Sequence, residues 1–144
     1  MTPARLVASG LGIGFLRPAP GSWGSALVLP LALLPGWAIL LAAALLTAAG
    51  FWALARLNAT EEDPGWVVVD EAAGQALALA FVPAALGVWG VLLAFGLFRL
   101  LDILKPGPVG WMDRQPGALG VMGDDLVAGG LAAALLLGIG WGTA

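Results

Sequence analysis

Three stretches of this 144-residue chain carry no charge at all: residues 18–55, 72–98 and 126–144. An apolar run of about 18 residues or more is the signal for a membrane span. A helix of that length crosses the ~30 Å hydrocarbon layer with its backbone groups satisfied internally. The remaining sequence cannot reverse that reading. Charged residues make up 10% of the chain and hydrophobic ones 60%, with a mean hydropathy of +0.97. A soluble domain carries about 25% charged residues, because water must wet its surface. The expected fold class is therefore all-α, a polytopic membrane helical bundle that forms a single domain over residues 1–144.

Glycine and proline divide the apolar stretches into about five helical segments, some of them broken or short. The pattern predicts helices over 25–34, stopped by Pro35-Gly36, and over 37–57, long enough to span. A third over 67–82 stops near Pro83, a fourth covers 85–104 before Pro106-Gly107-Pro108, and the last covers 124–141. Residues 9–25 are rich in Gly and Pro and read as a loop, with Ser22 as N-cap of the first helix. Residues 58–66 read as a polar loop in which Glu61, Glu62 and Asp63 are solvated. Residues 106–123 read as a Gly-rich loop with a short turn at 109–114. Arg5 is the one early charge. Without a basic leader region or an A-x-A cleavage site, the N-terminus reads as mature sequence.

The charges set the topology. If residues 18–55 and 72–98 are hairpins reversing at Pro35-Gly36 and at 83–87, then the N-terminus, 56–71 and 99–125 share one side. All fifteen charged residues then lie there. A single crossing by 72–98 would instead hold Asp70-Glu71 about 30 Å from Arg99 and Asp102. The hairpin reading is simpler, and the positive-inside rule makes the charged side cytoplasmic, since it holds Arg5, Arg17, Arg56, Arg99, Lys105 and Arg114. Two arms, 25–34 and 67–82, fall short of a full span and are expected to dip partway into the membrane.

A net charge of −3 offers no basic patch, so no nucleic-acid partner is expected. The chain has no cysteine and no histidine. Disulfides, thiolate metal sites, Cys nucleophiles and His general bases are excluded. Chemistry must rest on Asp, Glu, Lys, Arg and hydroxyl groups.

Three short segments gather those groups. Asp70 and Glu71 open an apolar helix. Acids in a first turn often only complement the helix dipole, but carboxylates abutting a membrane helix are costly and usually functional. Arg99 and Asp102 stand three residues apart on one helix face, and Lys105 continues the same row. Taken singly they read as an interfacial ion pair and a snorkelling lysine. Asp124 and Asp125 follow the run Gly117-Ala-Leu-Gly120-Val-Met-Gly123. At a helix start, one Asp would serve as a cap, and the free N–H groups would suit an anion. A second Asp is surplus to capping. Paired carboxylates suit a hard divalent cation such as Mg²⁺, which takes oxygen ligands. Clustered carboxylates repel unless a cation holds them. Mg²⁺ with Arg and Lys is the combination that stabilises a transferring phosphoryl group. Asp113-Arg114 reads either as a local ion pair or as outer support to that cluster.

Four motifs, in order, carry a resemblance. They are Pro20-Gly21-Ser22-Trp23-Gly24-Ser25, Val69-Asp70-Glu71-Ala72-Ala73-Gly74-Gln75, Phe98-Arg99-Leu100-Leu101-Asp102-Ile103-Leu104-Lys105-Pro106 and Gly120-Val121-Met122-Gly123-Asp124-Asp125-Leu126-Val127-Ala128-Gly129. Over residues 9–130 the chain resembles the phosphatidylglycerophosphatase A family. The resemblance implies a Mg²⁺-dependent lipid phosphatase that hydrolyses phosphatidylglycerophosphate to phosphatidylglycerol and phosphate, in the bacterial cytoplasmic (inner) membrane with its active site facing the cytoplasm. On that reading Asp70, Glu71, Asp102, Asp124 and Asp125 are the pool of metal ligands and catalytic carboxylates. Arg99, Lys105, Ser22 and Ser25 are the expected phosphate-binding residues. The competing reading is a small transporter with carboxylates along an ion path. It calls for polar residues deep in the spans, where this chain has few beyond Thr47 and Gln75.

Overall fold

The computed structural model describes residues 1–57 and 64–144, and the expected loop acids Glu61, Glu62 and Asp63 lie outside the described residues. Among the described residues the chain is all helical and has no strand. Its helices are α1 (Pro3–Ala8), α2 (Pro20–Leu27), α3 (Gly36–Arg56), α4 (Val69–Leu79), α5 (Gly87–Leu104), α6 (Pro108–Asp113) and α7 (Gly117–Gly142). Short 3-10 turns occupy Ile13–Phe15, Leu29–Leu33 and Ala84–Leu86. The segments Gly36–Arg56, Ala84–Leu104 and Gly117–Gly142 are long and apolar enough to cross a membrane.

Three boundaries differ from expectation. The region 9–25 is not all loop, because α2 already begins at Pro20, whose missing N–H costs nothing in a first turn. Ser22 is therefore inside the first turn and is not the N-cap, which is Ala19. The expected helix over 25–34 splits at Val28, and the Leu29–Leu33 turn follows. More consequentially, α7 begins at Gly117 and not at Asp124. Glycine is a weak helix former, but here tertiary contact requires it. A Cβ on Gly120 would collide with the Gln115 carbonyl, and one on Gly123 would sit 2.6 Å from the Met112 side chain. The glycines let α6 lie against the first turns of α7.

Helix α4 is the central element. Nine of its eleven residues are buried, including Asp70 and Gln75. At 1.5 Å per residue it is about 16 Å long, half of the hydrocarbon thickness. Around it, α3, α5 and α7 bury far smaller shares of their surfaces and turn the rest outward, as spans in lipid do. Helix α7 crosses α4 at two glycines. A Cβ on Gly74 would land on the Asp125 carbonyl, and one on Gly129 on the Gly74 carbonyl. Small residues at such crossings let membrane helices approach at backbone distance. Asp70 and Asp125 each precede their glycine by four residues, and further along Ala78 packs with Ala132. The two helices therefore run in the same direction with their acids side by side.

The N-terminal segment braces the entrance to α4. The Val68 N–H donates to the Ala8 carbonyl at 2.9 Å. The Arg5 guanidinium lies 5.1 Å from the Trp66 ring and 5.4 Å from Phe15, and these rings stack at 5.7 Å. The N-terminus, the start of α4, the end of α5 and the start of α7 thus meet at one end, as the hairpin reading requires.

Candidate active site

The expected acids converge. Single oxygens of Asp70, Glu71 and Asp125 lie within 4.8 Å of one another, and so do oxygens of Asp102, Asp124 and Asp125. Asp125 belongs to both groups and joins them. Asp70, Asp124 and Asp125 are buried, and Asp102 is nearly so. Such crowding is stable only with positive charge among the acids, and the end of α5 supplies it. Arg99 pairs with Asp102 one turn along the helix. Lys105 pairs with Asp124 on α7, lies 3.2 Å from Asp113 at the end of α6, and 3.8 Å from Asp102.

Lys105 is placed by an unusual backbone. It caps α5 in the left-handed conformation, with φ of +48°. That costs a non-glycine residue about 1–2 kcal/mol, and Gly is the usual choice at such a position. Retaining a lysine there aims its ammonium back across three aspartates. Partial burial opposes its charge. The hydrogen bond and charge of Asp124, then Asp113 and Asp102, outweigh that, and hold the Lys105 pKa above the ordinary lysine value. Lys105 is thus a cation held among three aspartates.

The late start of Asp124-Asp125 within α7 overturns one expectation. These acids lie two turns inside the helix, so its N-terminal N–H groups are not beside them. Two helix starts border the site: that of α4, whose first turn carries Asp70 and Glu71, and that of α2. A Cβ on Gly21 would stand 2.5 Å from Glu71 Oε1 and 3.2 Å from both terminal nitrogens of Arg99. Ser22 is the next residue of that turn and is partly exposed. Ser25, one turn further, is buried and donates its hydroxyl to the Gly21 carbonyl at 3.1 Å. Asp113, read from sequence only as a local pair or outer support, proves to be a direct partner of Lys105.

Several polar atoms in this region are buried without a hydrogen-bond partner among the described residues: Glu71 Oε2, Asp125 Oδ1, Arg99 Nε and both amide atoms of Gln75. Orphaned buried polar atoms are rare and call for a ligand, ion or water. An all-oxygen donor set with unpaired carboxylate oxygens fits a hard divalent cation such as Mg²⁺.

Five carboxylates set against an arginine and a lysine in a helical bundle are a residue set that phosphate-ester chemistry can use. The comparisons make the class specific: the chain belongs to the phosphatidylglycerophosphatase A family, whose profile matches residues 6–140, and it is a phosphatase. It is 37% identical over 136 residues to the phosphatidylglycerophosphatase A of Haemophilus influenzae, covering 89% of this chain and 83% of that protein. It is 35% identical over 146 residues to the Escherichia coli protein of the same name, covering 96% and 84%. A Bacteroides thetaiotaomicron protein described as a candidate phosphatidylinositol-3-phosphatase is 42% identical over 135 residues, covering 86% and 85%. No solved structure matches the chain.

Proposed function

We propose that this chain removes the phosphomonoester from phosphatidylglycerophosphate in a Mg²⁺-dependent reaction at the cytoplasmic face of a bacterial inner membrane, releasing phosphatidylglycerol and phosphate. The observation that carries the reading is the pair of carboxylate groups sharing Asp125, flanked by Arg99 and Lys105. Asp70, Glu71, Asp102, Asp124 and Asp125 are the residues that would hold the cation. When bound, Mg²⁺ supplies positive charge against the charge that develops on a transferring phosphoryl group. Arg99 and Lys105 bind the phosphate, and to do so they turn from Asp102 and Asp124 toward the substrate. Ser22 and the first turn of α2, beside Arg99, complete the phosphate end, with Ser25 behind them. A carboxylate of the cluster takes the proton of an attacking water or attacks phosphorus itself. Rapid-quench labelling separates these routes, since a burst of phosphoenzyme eliminates direct attack by water.

The position of the site supports a membrane-surface substrate. Helix α7 has 26 residues, about 39 Å, and so exceeds the ~30 Å hydrocarbon layer by about six residues. With those at its N-terminus standing clear, Asp124 falls at the headgroup boundary. The cations at this end favour the cytoplasmic orientation.

The Bacteroides relative favours a second reading, phosphatidylinositol 3-phosphate, which is also a phosphomonoester on a lipid headgroup. Phosphate release from each lipid, with Mg²⁺ or with chelator and with Asp124→Asn as control, tests both. We expect release from phosphatidylglycerophosphate that chelator and the substitution abolish. Full activity under chelation overturns the metal requirement, and exclusive use of the inositol lipid overturns the substrate.

A further inference from the structure

Between residues 72 and 98 the sequence has one polar side chain, Gln75. It is fully buried, and neither its amide nitrogen nor its amide oxygen has a partner among the described residues. An unpaired amide at membrane depth is costly, since no solvent reaches it there. The surrounding positions of α4 are Ala72, Ala73, Gly74, Ala76 and Ala78, all buried, and they offer no polar side chain. A purely packing role would be met better by leucine or methionine. The amide therefore has a chemical task.

Its place on α4 indicates the task. Gln75 follows Glu71 by four residues, on the same helix face, and side chains on a helix lean back toward its N-terminus. That direction is toward the acidic cluster. Its neighbour Gly74 meets the backbone of Asp125. Glu71 Oε2 and Asp125 Oδ1 are the carboxylate oxygens left unpaired on these two residues. An amide offers both donors and an acceptor, and a single buried water needs two to four such partners.

We propose that Gln75 is the positioning residue on the membrane side of the cluster, holding Glu71 and Asp125, directly or through one buried water, in the orientation that binds a divalent cation. This inference rests on the metal-dependent reading above. Groups that orient metal ligands typically contribute about 10–100-fold to affinity or activity.

The test uses the full chain in detergent micelles with Mn²⁺ as a paramagnetic probe of the cation site. Gln75→Leu keeps the volume and removes the amide. We expect its Mn²⁺ dissociation constant to rise about 10–100-fold and kcat to fall, with KM for the lipid nearly unchanged. The metal-free unfolding midpoint should hold or rise, because an unpaired buried amide is gone. Gln75→Asn keeps the amide one methylene short, should fall between, and serves if the leucine variant does not fold. A structural role predicts the reverse pattern: a lower metal-free midpoint and an unchanged Mn²⁺ affinity. Wild-type Mn²⁺ affinity in a folded variant overturns the role of Gln75 alone. If the wild-type chain binds no Mn²⁺, both this inference and the metal reading fall.

Discussion

The two ends of the bundle are built on opposite rules. At one end α2, α4, α5, α6 and α7 meet with backbone-close glycine contacts, and buried acids interlock with Arg99 and Lys105. At the other end the chain reverses through the Leu29–Leu33 and Ala84–Leu86 turns, and no described residue there is charged. That end opens a cavity of about 740 Å³, lined by Leu29, Leu34, Ile39, Leu79, Val82 and their apolar neighbours. That hollow carries no charged side chain. Phosphoryl transfer needs fixed charge, and an apolar lining has none to offer. The short arms therefore have distinct duties at their two ends. The start of α4 must place atoms closely, whereas its end need only lead into the reversal through Ala84–Leu86.

The charged end is most vulnerable at Asp125, which belongs to both carboxylate groups. Asp125→Asn should lower kcat by about three orders of magnitude, because several kcal/mol of charge stabilisation is lost and each 1.36 kcal/mol is tenfold. The metal-free protein should be no less stable, since a buried charge has been neutralised. Steady-state phosphate release and thermal unfolding check the two halves. A variant within tenfold of wild type would remove Asp125 from the site. Next is the crossing itself. Gly129→Val places side-chain atoms on the Gly74 carbonyl, and neither backbone moves cheaply. We expect a loss of about 1–3 kcal/mol of stability or more, read by thermal unfolding. Activity should fall with it as the two acid pairs separate. A wild-type midpoint would show that the crossing is looser than its geometry.

Much of the charged end was legible in the sequence. The long charge-free stretches forced hairpins, and hairpins forced Asp70-Glu71, Arg99-Asp102-Lys105 and Asp124-Asp125 to one side. The start of α7 was not legible. Gly117, Gly120 and Gly123 read locally as loop, and what makes them helix is the packing of α6 upon them, which no local pattern records. The Gly74–Gly129 crossing was hidden for the same reason, since a glycine's partner lies elsewhere in the chain. Asp113 was readable as a charge but not as the partner of Lys105, because its direction depends on how α6 docks. Gln75 did leave a signal, as the single polar side chain in a long apolar stretch.

A smaller effect is expected at the rim of the site. Lys105→Gln removes a cation that holds Asp102, Asp113 and Asp124 together. If Lys105 also binds the substrate phosphate, KM should rise and kcat/KM should fall about 10–100-fold, the scale of one charged contact worth 1.5–3 kcal/mol. Lys105→Arg should restore only part of this, because a planar fork does not replace a compact ammonium among three carboxylates. An unchanged KM with a lowered kcat would assign Lys105 to ordering the acids alone.

The smallest effect belongs to the far end, and its smallness is the point. Leu33 is 91% exposed in the turn that closes the first hairpin. Leu33→Ala removes apolar surface that faces outward, packs against nothing in the core and lies at the opposite end from every described carboxylate. Substitutions of that kind usually stay within about 0.5 kcal/mol. We therefore expect a wild-type unfolding midpoint, and kcat and KM within about twofold, since 0.4 kcal/mol is a factor of two. A much larger drop in kcat with stability intact would couple the apolar turns to the acids through α4. It would mean that the reversal at the hydrocarbon end sets the position of Asp70 and Glu71 as firmly as the glycine crossing does.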